Sequence, residues 1–265
     1  MSSAAEESRL NSLDRVLDEQ EPNSTLAGEL FAVVDAIEGQ PALRRSLTDP
    51  GMPGEQRQAL ATRLFDGKVS PAAVSVVAEA AALRWGGGRA LASAVERQGV
   101  RAELRAAQAN GQLDNVEDEL FRFSRTVAGD RGLSEALRDR SSGLPARTEL
   151  VTKLLNGRAY EATTILARRA VAARQGTYDA TVESYLALAA QLRERGLATV
   201  RVARPLSADQ HERLRAALSR QVGREVAMHV IVDPEVVGGV RVELGDEVIE
   251  GTVSSRLNEA RRQIH

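Results

Sequence analysis

The chain has no cysteine in 265 residues, so it can form no disulfide, no thiolate zinc site and no thiol nucleophile. Aromatic residues make up only 3%, with Trp85 the single tryptophan, which removes the stacking platforms used for single-stranded nucleic acid. Lysine is almost missing: Lys68 and Lys153 are the only two, and 35 basic residues against 37 acidic ones leave a net charge of -2. That balance argues against binding to a nucleic-acid backbone. Long apolar runs are absent as well. The longest charge-free, apolar-rich stretch, Val69 to Ala78, is about half of what a bilayer span needs. The amino terminus, MSSAAEESRLNSLDRVLDEQ, is acidic and has neither the basic nor the apolar region of a signal peptide. Together these absences predict a soluble protein on the cytoplasmic side.

What is abundant is alanine and leucine, the residues of packed helices, and they recur. Shifted by ninety positions, Glu29-Leu30-Phe31 falls on Glu119-Leu120-Phe121, and the register holds without a gap to Gly86 and Gly176. Of the 58 pairs, 17 are identical, where about four or five would match by chance. The pattern predicts a tandem duplication. In the first copy Leu26, Leu30, Val33, Val34 and Ile37 share one helix face, with Asn23 or Ser24 as cap and Gly39 as close. Ser70-Pro71 opens a later helix, serine at the N-cap and proline at the first turn. In the second copy a last helix, Tyr178 to Arg195, aligns Val182, Tyr185, Leu186, Ala189 and Leu192. The intervening segment, GRALASAVERQGVRAELRAAQANGQ, reads as a long helix or a pair of helices, with Gly99 as the place for a bend. Short helices with short loops bury an apolar stripe only by packing on one another, which means bundles.

From Ala198 the period changes. ATVRVARPL alternates at two; Ser207 and Gln210 form a capping box for a helix; EVAMHVIVD, GVRVEL and EVIEG read as strands, the last two a hairpin turning at Gly245-Asp246; TVSSRLNEARRQIH closes as a helix. The predicted fold is mainly α with a small α/β carboxyl-terminal domain. Two tandem helical bundles, residues 1–96 and 97–196, precede a mixed sheet in 197–265.

No catalytic constellation emerges. His211, His229 and His265 lack a second ligand at helical spacing, and Ser141-Ser142 and Ser254-Ser255 lack the elbow context of a nucleophile. Gly238-Gly239 is followed by an alternating strand among acidic residues, the wrong surroundings for a phosphate loop. Gly86-Gly87-Gly88 reads as a helix break. No cofactor and no metal are expected.

The stretch DPEVVGGVRVELGDEVIEGTV, followed by Arg256-Leu257, resembles the carboxyl-terminal signature of the F-type ATP synthase delta subunit family, whose mitochondrial counterpart is the oligomycin-sensitivity-conferring protein. Asp233, Gly238, Gly239, Gly245, Asp246, Ile249, Gly251, Val253, Arg256 and Leu257 stand at the family's positions. Glu250 and Thr252 replace the family's aspartate and serine. The resemblance covers about the last 165 residues; the first 95 or so are additional, and actinobacterial members of the family resemble this long form. It implies a non-catalytic stator subunit on the cytoplasmic face of the cell membrane. The bundle would receive an amino-terminal helix of the alpha subunit, and the carboxyl-terminal domain would grip b-type peripheral-stalk helices. The alternative is a cytoplasmic helical adaptor unrelated to ATP synthesis. The second copy is expected to hold the alpha contact in a groove between its first and fifth helices, near Leu104, Tyr185 and Leu186. The first copy is expected to contact stalk helices.

Overall fold

Breakers divide the first two thirds of the chain into short helices: α1 (Ala4–Asp18), α2 (Ser24–Gly39), α3 (Pro41–Leu47), α4 (Gly54–Phe65), α5 (Pro71–Ala82), α6 (Gly88–Ala109), α7 (Leu113–Gly129), α8 (Arg131–Arg138), α9 (Gly143–Leu155), α10 (Glu161–Ala172) and α11 (Tyr178–Arg195). The computed structural model describes residues 4–172, 176–195, 197–222, 227–233, 239–244 and 247–252. Its two compact units are residues 1–188 and 189–265.

Local chemistry sets the helix ends. The side chains of Asn23, Ser70 and Asp130 accept hydrogen bonds from the Leu26, Ala73 and Leu133 amides at 2.8, 3.2 and 3.0 Å, each satisfying an amide the helix start leaves open. Pro71 occupies the first turn after Ser70, as the sequence implies. Gly67 and Gly157, ninety positions apart, turn the chain after α4 and α9 with φ of 69° and 68°, a conformation that favours glycine. Gly39 is the last residue of α2, and extended Gln40 caps the helix before Pro41 opens the next.

The ninety-residue offset holds element by element. α2 to α5 fall on α7 to α10, α1 falls on the second half of α6, and the first half of α6 falls on α11. Tertiary bonds repeat too. The Glu29 carboxylate accepts from the Ser70 amide at 3.0 Å and from its hydroxyl; Glu119 accepts from the Tyr160 amide at 3.0 Å and the Thr163 hydroxyl at 2.6 Å. These equivalences are compatible with a duplicated bundle. The core is leucine-rich, with Leu13, Leu17, Leu30, Leu47, Leu104, Leu120 and Leu166 fully buried, each burial stabilising by about 2 kcal/mol.

Two expectations are sharpened. Of the two readings of the intervening segment, the long helix holds: α6 is continuous over 22 residues and unbroken at Gly99. A Cβ at Gly99 would lie 2.6 Å from the Phe31 ring, so the glycine is there to let α2 approach α6. On α11 the buried stripe is Val182, Tyr185, Leu188, Ala189 and Leu192, while Leu186 is half-buried at its edge.

In the second unit β1 (Leu197–Val202), α12 (Ala208–Val222), β2 (Ala227–Val232), β3 (Gly239–Leu244) and β4 (Glu247–Thr252) follow in order. The capping box forms: the Ser207 amide donates to Gln210 Oε1 at 2.9 Å and the Gln210 amide to Ser207 Oγ at 3.2 Å. The sheet order is β2-β1-β3-β4, with β1 parallel to β2 and antiparallel to β3, and β3 antiparallel to β4. Val200, Val202, Val242 and Leu218 make its core, with Met228 and Val230 packed against them; Val232, at the strand end, is exposed. The expected carboxyl-terminal helix lies outside the described residues.

Candidate functional site

The two copies differ along the junction that α1 makes with α6 in the first. Between α1 and α6 runs a ladder of charge. Arg97 grips the Asp14 carboxylate, Gln98 Nε2 donates to Asp14 Oδ1 at 2.9 Å, and Arg101 donates to both oxygens of Asp18 at 2.7 and 2.9 Å. Arg105 completes it on the Leu17, Asp18 and Gln20 carbonyls at 2.6, 3.1 and 3.0 Å. Burial opposes ionisation of Asp14, but the Arg97 hydrogen bond and the charges of Arg101 and Arg97 outweigh it and hold its carboxyl below the usual range. Arginine suits this place because its planar fork matches a carboxylate bidentately.

In the second copy Leu104 stands for Asp14, Gln108 for Asp18, Ala187 for Arg97 and Gln191 for Arg101. The aspartate–arginine pairs are gone and these four positions are apolar or neutral, while Arg195 stands for Arg105. Leu104 is fully buried in α6, Tyr185 is buried, and Leu186 is half-buried. Burial pushes the Tyr185 phenol up, helped by the nearby Glu96 charge, and its hydroxyl has no hydrogen-bond partner among the described residues. Of the three residues expected at a groove, only Leu186 has substantial exposed surface; Leu104 lies beneath as core.

Arg169 of α10 ties the copies together. It donates to Glu96 and Asp35 at 2.9 Å each and lies over the Phe31 ring at 4.8 Å from the centroid. The counterpart of Phe31, Phe121, is 53% exposed. Trp85 is half-buried, donates to the Ala80 carbonyl at 2.7 Å and lies against Arg9, a packing role.

Among the described residues no group of three or more histidine or acidic side chains could hold a metal ion, and no helix is long and apolar enough to cross a membrane. His211 lies on α12 and His229 on β2. Of the signature positions, Asp233 follows β2, its amide bonded to the Val202 carbonyl at 2.8 Å and its carboxylate 3.8 Å from Arg201. Gly239 opens β3 opposite Thr252, and Gly251 pairs with Val240. Leu244 pairs with Glu247, as a two-residue hairpin turn requires. Gly238, Gly245, Asp246, Val253, Arg256 and Leu257 lie outside the described residues.

Sequence reasoning passed over α1. Leu10, Leu13 and Leu17 carry helical spacing, and the arginine partners of Asp14 and Asp18 are 83 positions away.

The family model for the ATP synthase delta (OSCP) subunit matches residues 95–264, which takes in the second half of α6 and everything after it. Proteins called ATP synthase subunit delta match further toward the amino terminus. The chain is 47% identical to that of Parafrankia over 238 residues, covering 89% of this chain and 85% of the relative. It is 42% identical to that of Kineococcus radiotolerans over 254 residues, covering 95% and 92%, and 39% identical to that of Cutibacterium acnes over 252 residues, covering 95% and 96%. The additional first copy is therefore shared with these actinobacterial relatives, and with matches this broad the chain belongs to the ATP synthase delta (OSCP) subunit family.

Proposed function

We infer that this chain is a non-catalytic delta subunit in the peripheral stalk of a proton-driven F-type ATP synthase, on the cytoplasmic face of the cell membrane. It links the catalytic head to the membrane sector and resists rotor torque during ATP synthesis. Such a link needs broad apolar and ionic contact and no chemistry. A helix laid in a groove supplies that contact. The second copy, within residues 97–196, receives an amino-terminal helix of the alpha subunit, and residues 197–265 grip b-type stalk helices. Residues 1–96 form an extra bundle that meets the stalk.

One observation carries the division of labour. The seam between outer helices is closed in the first copy by arginine–aspartate pairs in which Asp14 and Arg101 are buried, and the positions of Asp14, Asp18, Arg97 and Arg101 are apolar or neutral in the second. An ionic seam resists opening because a parted pair leaves buried charge behind. Titrating an alpha-subunit amino-terminal peptide into the full chain tests this. Leu186→Glu should weaken binding by about tenfold or more, and Val16→Glu, on the half-buried edge of α1, by less than about twofold. Loss with Val16→Glu alone would sink the assignment. Deleting residues 1–87, which leaves α6 whole, should abolish stable assembly and proton-coupled synthesis while the isolated head still hydrolyses ATP. Unchanged synthesis would rule out the stalk role of the first copy.

A further inference from the structure

One corner of the helical unit has diverged as a block. In the first copy the start of α4 meets the end of α5 without a gap: a Cβ on Gly54 would lie 2.7 Å from the Ala82 carbonyl oxygen. Arg57, only 2% exposed, spans the junction, donating to the Ala81, Ala82 and Leu83 carbonyls at 2.8, 2.8 and 3.2 Å. Arg44 lies over Gly88, where a Cβ would come within 2.0 Å of its Cγ.

The second copy has Leu144 for Gly54 and Tyr178 for Gly88. Side chains of that size leave no room for the same approach. A cleft of about 580 Å³ lies there, walled by Leu144, Val171 and Tyr178 and rimmed by Arg138, Arg140 and Arg147. Two of those arginines have no basic counterpart, because Thr48 and Pro50 stand at their places in the first copy. Arg138 and Arg140 are exposed, and Arg147 is half-buried. The acid between them, Asp139, is engaged: its carboxylate accepts from the Ser142 and Ser141 hydroxyls and the Ser141 amide, which with the nearby Arg147 charge hold it down to about 2. Tyr178 is 9% exposed, and its buried hydroxyl has no hydrogen-bond partner among the described residues. Burial pushes this phenol up, so it stays protonated and can donate.

We propose that this cleft binds a phosphate-type oxyanion, gripped by the guanidiniums of Arg138, Arg140 and Arg147 with the Tyr178 hydroxyl as a further donor. Guanidinium forks match phosphoryl oxygens bidentately. Three of them against one engaged carboxylate call for more charge than a single carboxylate ligand carries. The volume falls within the usual small-ligand range of roughly 300–1,000 Å³, which is room for an organic group beyond the phosphate. The oxyanion is thus carried on a small soluble molecule or on a lipid headgroup.

The test is calorimetric titration of the full chain at low salt with inorganic phosphate and with glycerol 3-phosphate, beside co-sedimentation with vesicles containing phosphatidic acid. Saturable binding is expected, weakened by about tenfold or more in Arg138→Ala/Arg140→Ala and several-fold in Tyr178→Phe. Arg122→Ala/Arg131→Ala, exposed arginines outside the cleft, should leave it unchanged. Unaltered circular dichroism melting of the cleft variants separates lost binding from lost folding. Capture on vesicles that disappears in the double variant assigns the oxyanion to a lipid; binding of glycerol 3-phosphate without capture assigns it to a soluble ligand. No saturation by about 10 mM of either phosphate and no capture, or equal affinity in the cleft variants, overturns the proposal.

Discussion

Arg57 and Arg147 hold the same place in two copies of one helical pattern, and they do different things. Arg57 is buried and serves five carbonyls, those of Asp49 and Met52 in addition to the three at the end of α5. Arg147 is half-buried and bonds to two, Gly143 and Leu137, at 3.3 and 3.1 Å. The same contrast runs through the unit. Phe31 packs under Arg169 while Phe121 is exposed, and the α1–α6 seam is ionic where its counterpart is apolar or neutral. Matched cores with unmatched edges are compatible with a duplicated bundle whose fold was kept while its surfaces diverged. At these places the first copy turns arginines inward to close the junction, and the second leaves a cleft with Arg147 half-buried beside it.

Breaking that asymmetry should be most costly at Arg57. Arg57→Met leaves buried carbonyls without their donor and should destabilise by about 3–5 kcal/mol. Arg147→Met should cost about 1 kcal/mol, since fewer bonds are lost and water can replace them. Urea unfolding of the two variants, compared at equal m-value, measures the gap; equal losses would erase the distinction between the copies.

A smaller effect separates two buried acids by the sign of their pH dependence. Asp14 has a folded pKa below its unfolded value, so its contribution is present above the unfolded value, near 4, and is lost as pH falls through the folded one. Glu103 is the reverse. Burial raises its carboxyl, Ser24 bonds only one oxygen, and the charge of Glu161 raises it further. Its contribution is present below the unfolded value and lost as pH rises through the folded one. Glu103→Leu, which installs the Leu13 of the first copy, should therefore raise the melting midpoint at pH 7 and give little or no gain at pH 4. Asp14→Asn should lower the midpoint at pH 7 and show a smaller deficit at pH 3. A pH-independent difference in either variant would contradict the assigned shifts.

Much of the architecture was legible because it rests on local chemistry. The Asn23 and Ser70 caps, the Ser207–Gln210 box and the β3–β4 hairpin each follow from residues a few positions apart, and the ninety-residue register is read by laying the chain on itself. What escaped depends on distant partners. Asp14 looks like a surface acid until Arg97 and Arg101 are brought to it. Gly99 looks like a helix breaker until Phe31 arrives against it. The Gly54-to-Leu144 and Gly88-to-Tyr178 exchanges are visible in the aligned copies, but nothing in the sequence says that both side chains wall one cleft. Among the residues expected at a groove, Leu104 and Leu186 are alike in type, and only packing distinguishes the buried one from the one at the edge.

Helix α6 serves as the last helix of one copy and the first helix of the next. Recombination within such a helix splices repeat to repeat without creating a new loop, a new cap or a raw end. Each junction is a continuation of hydrogen bonding already in place. Copy number along the chain is then limited by what the neighbours of the protein can accommodate, as in helical arrays whose stability is summed repeat by repeat. A ninety-residue unit could be gained or lost in one genetic step, with every remaining helix left whole.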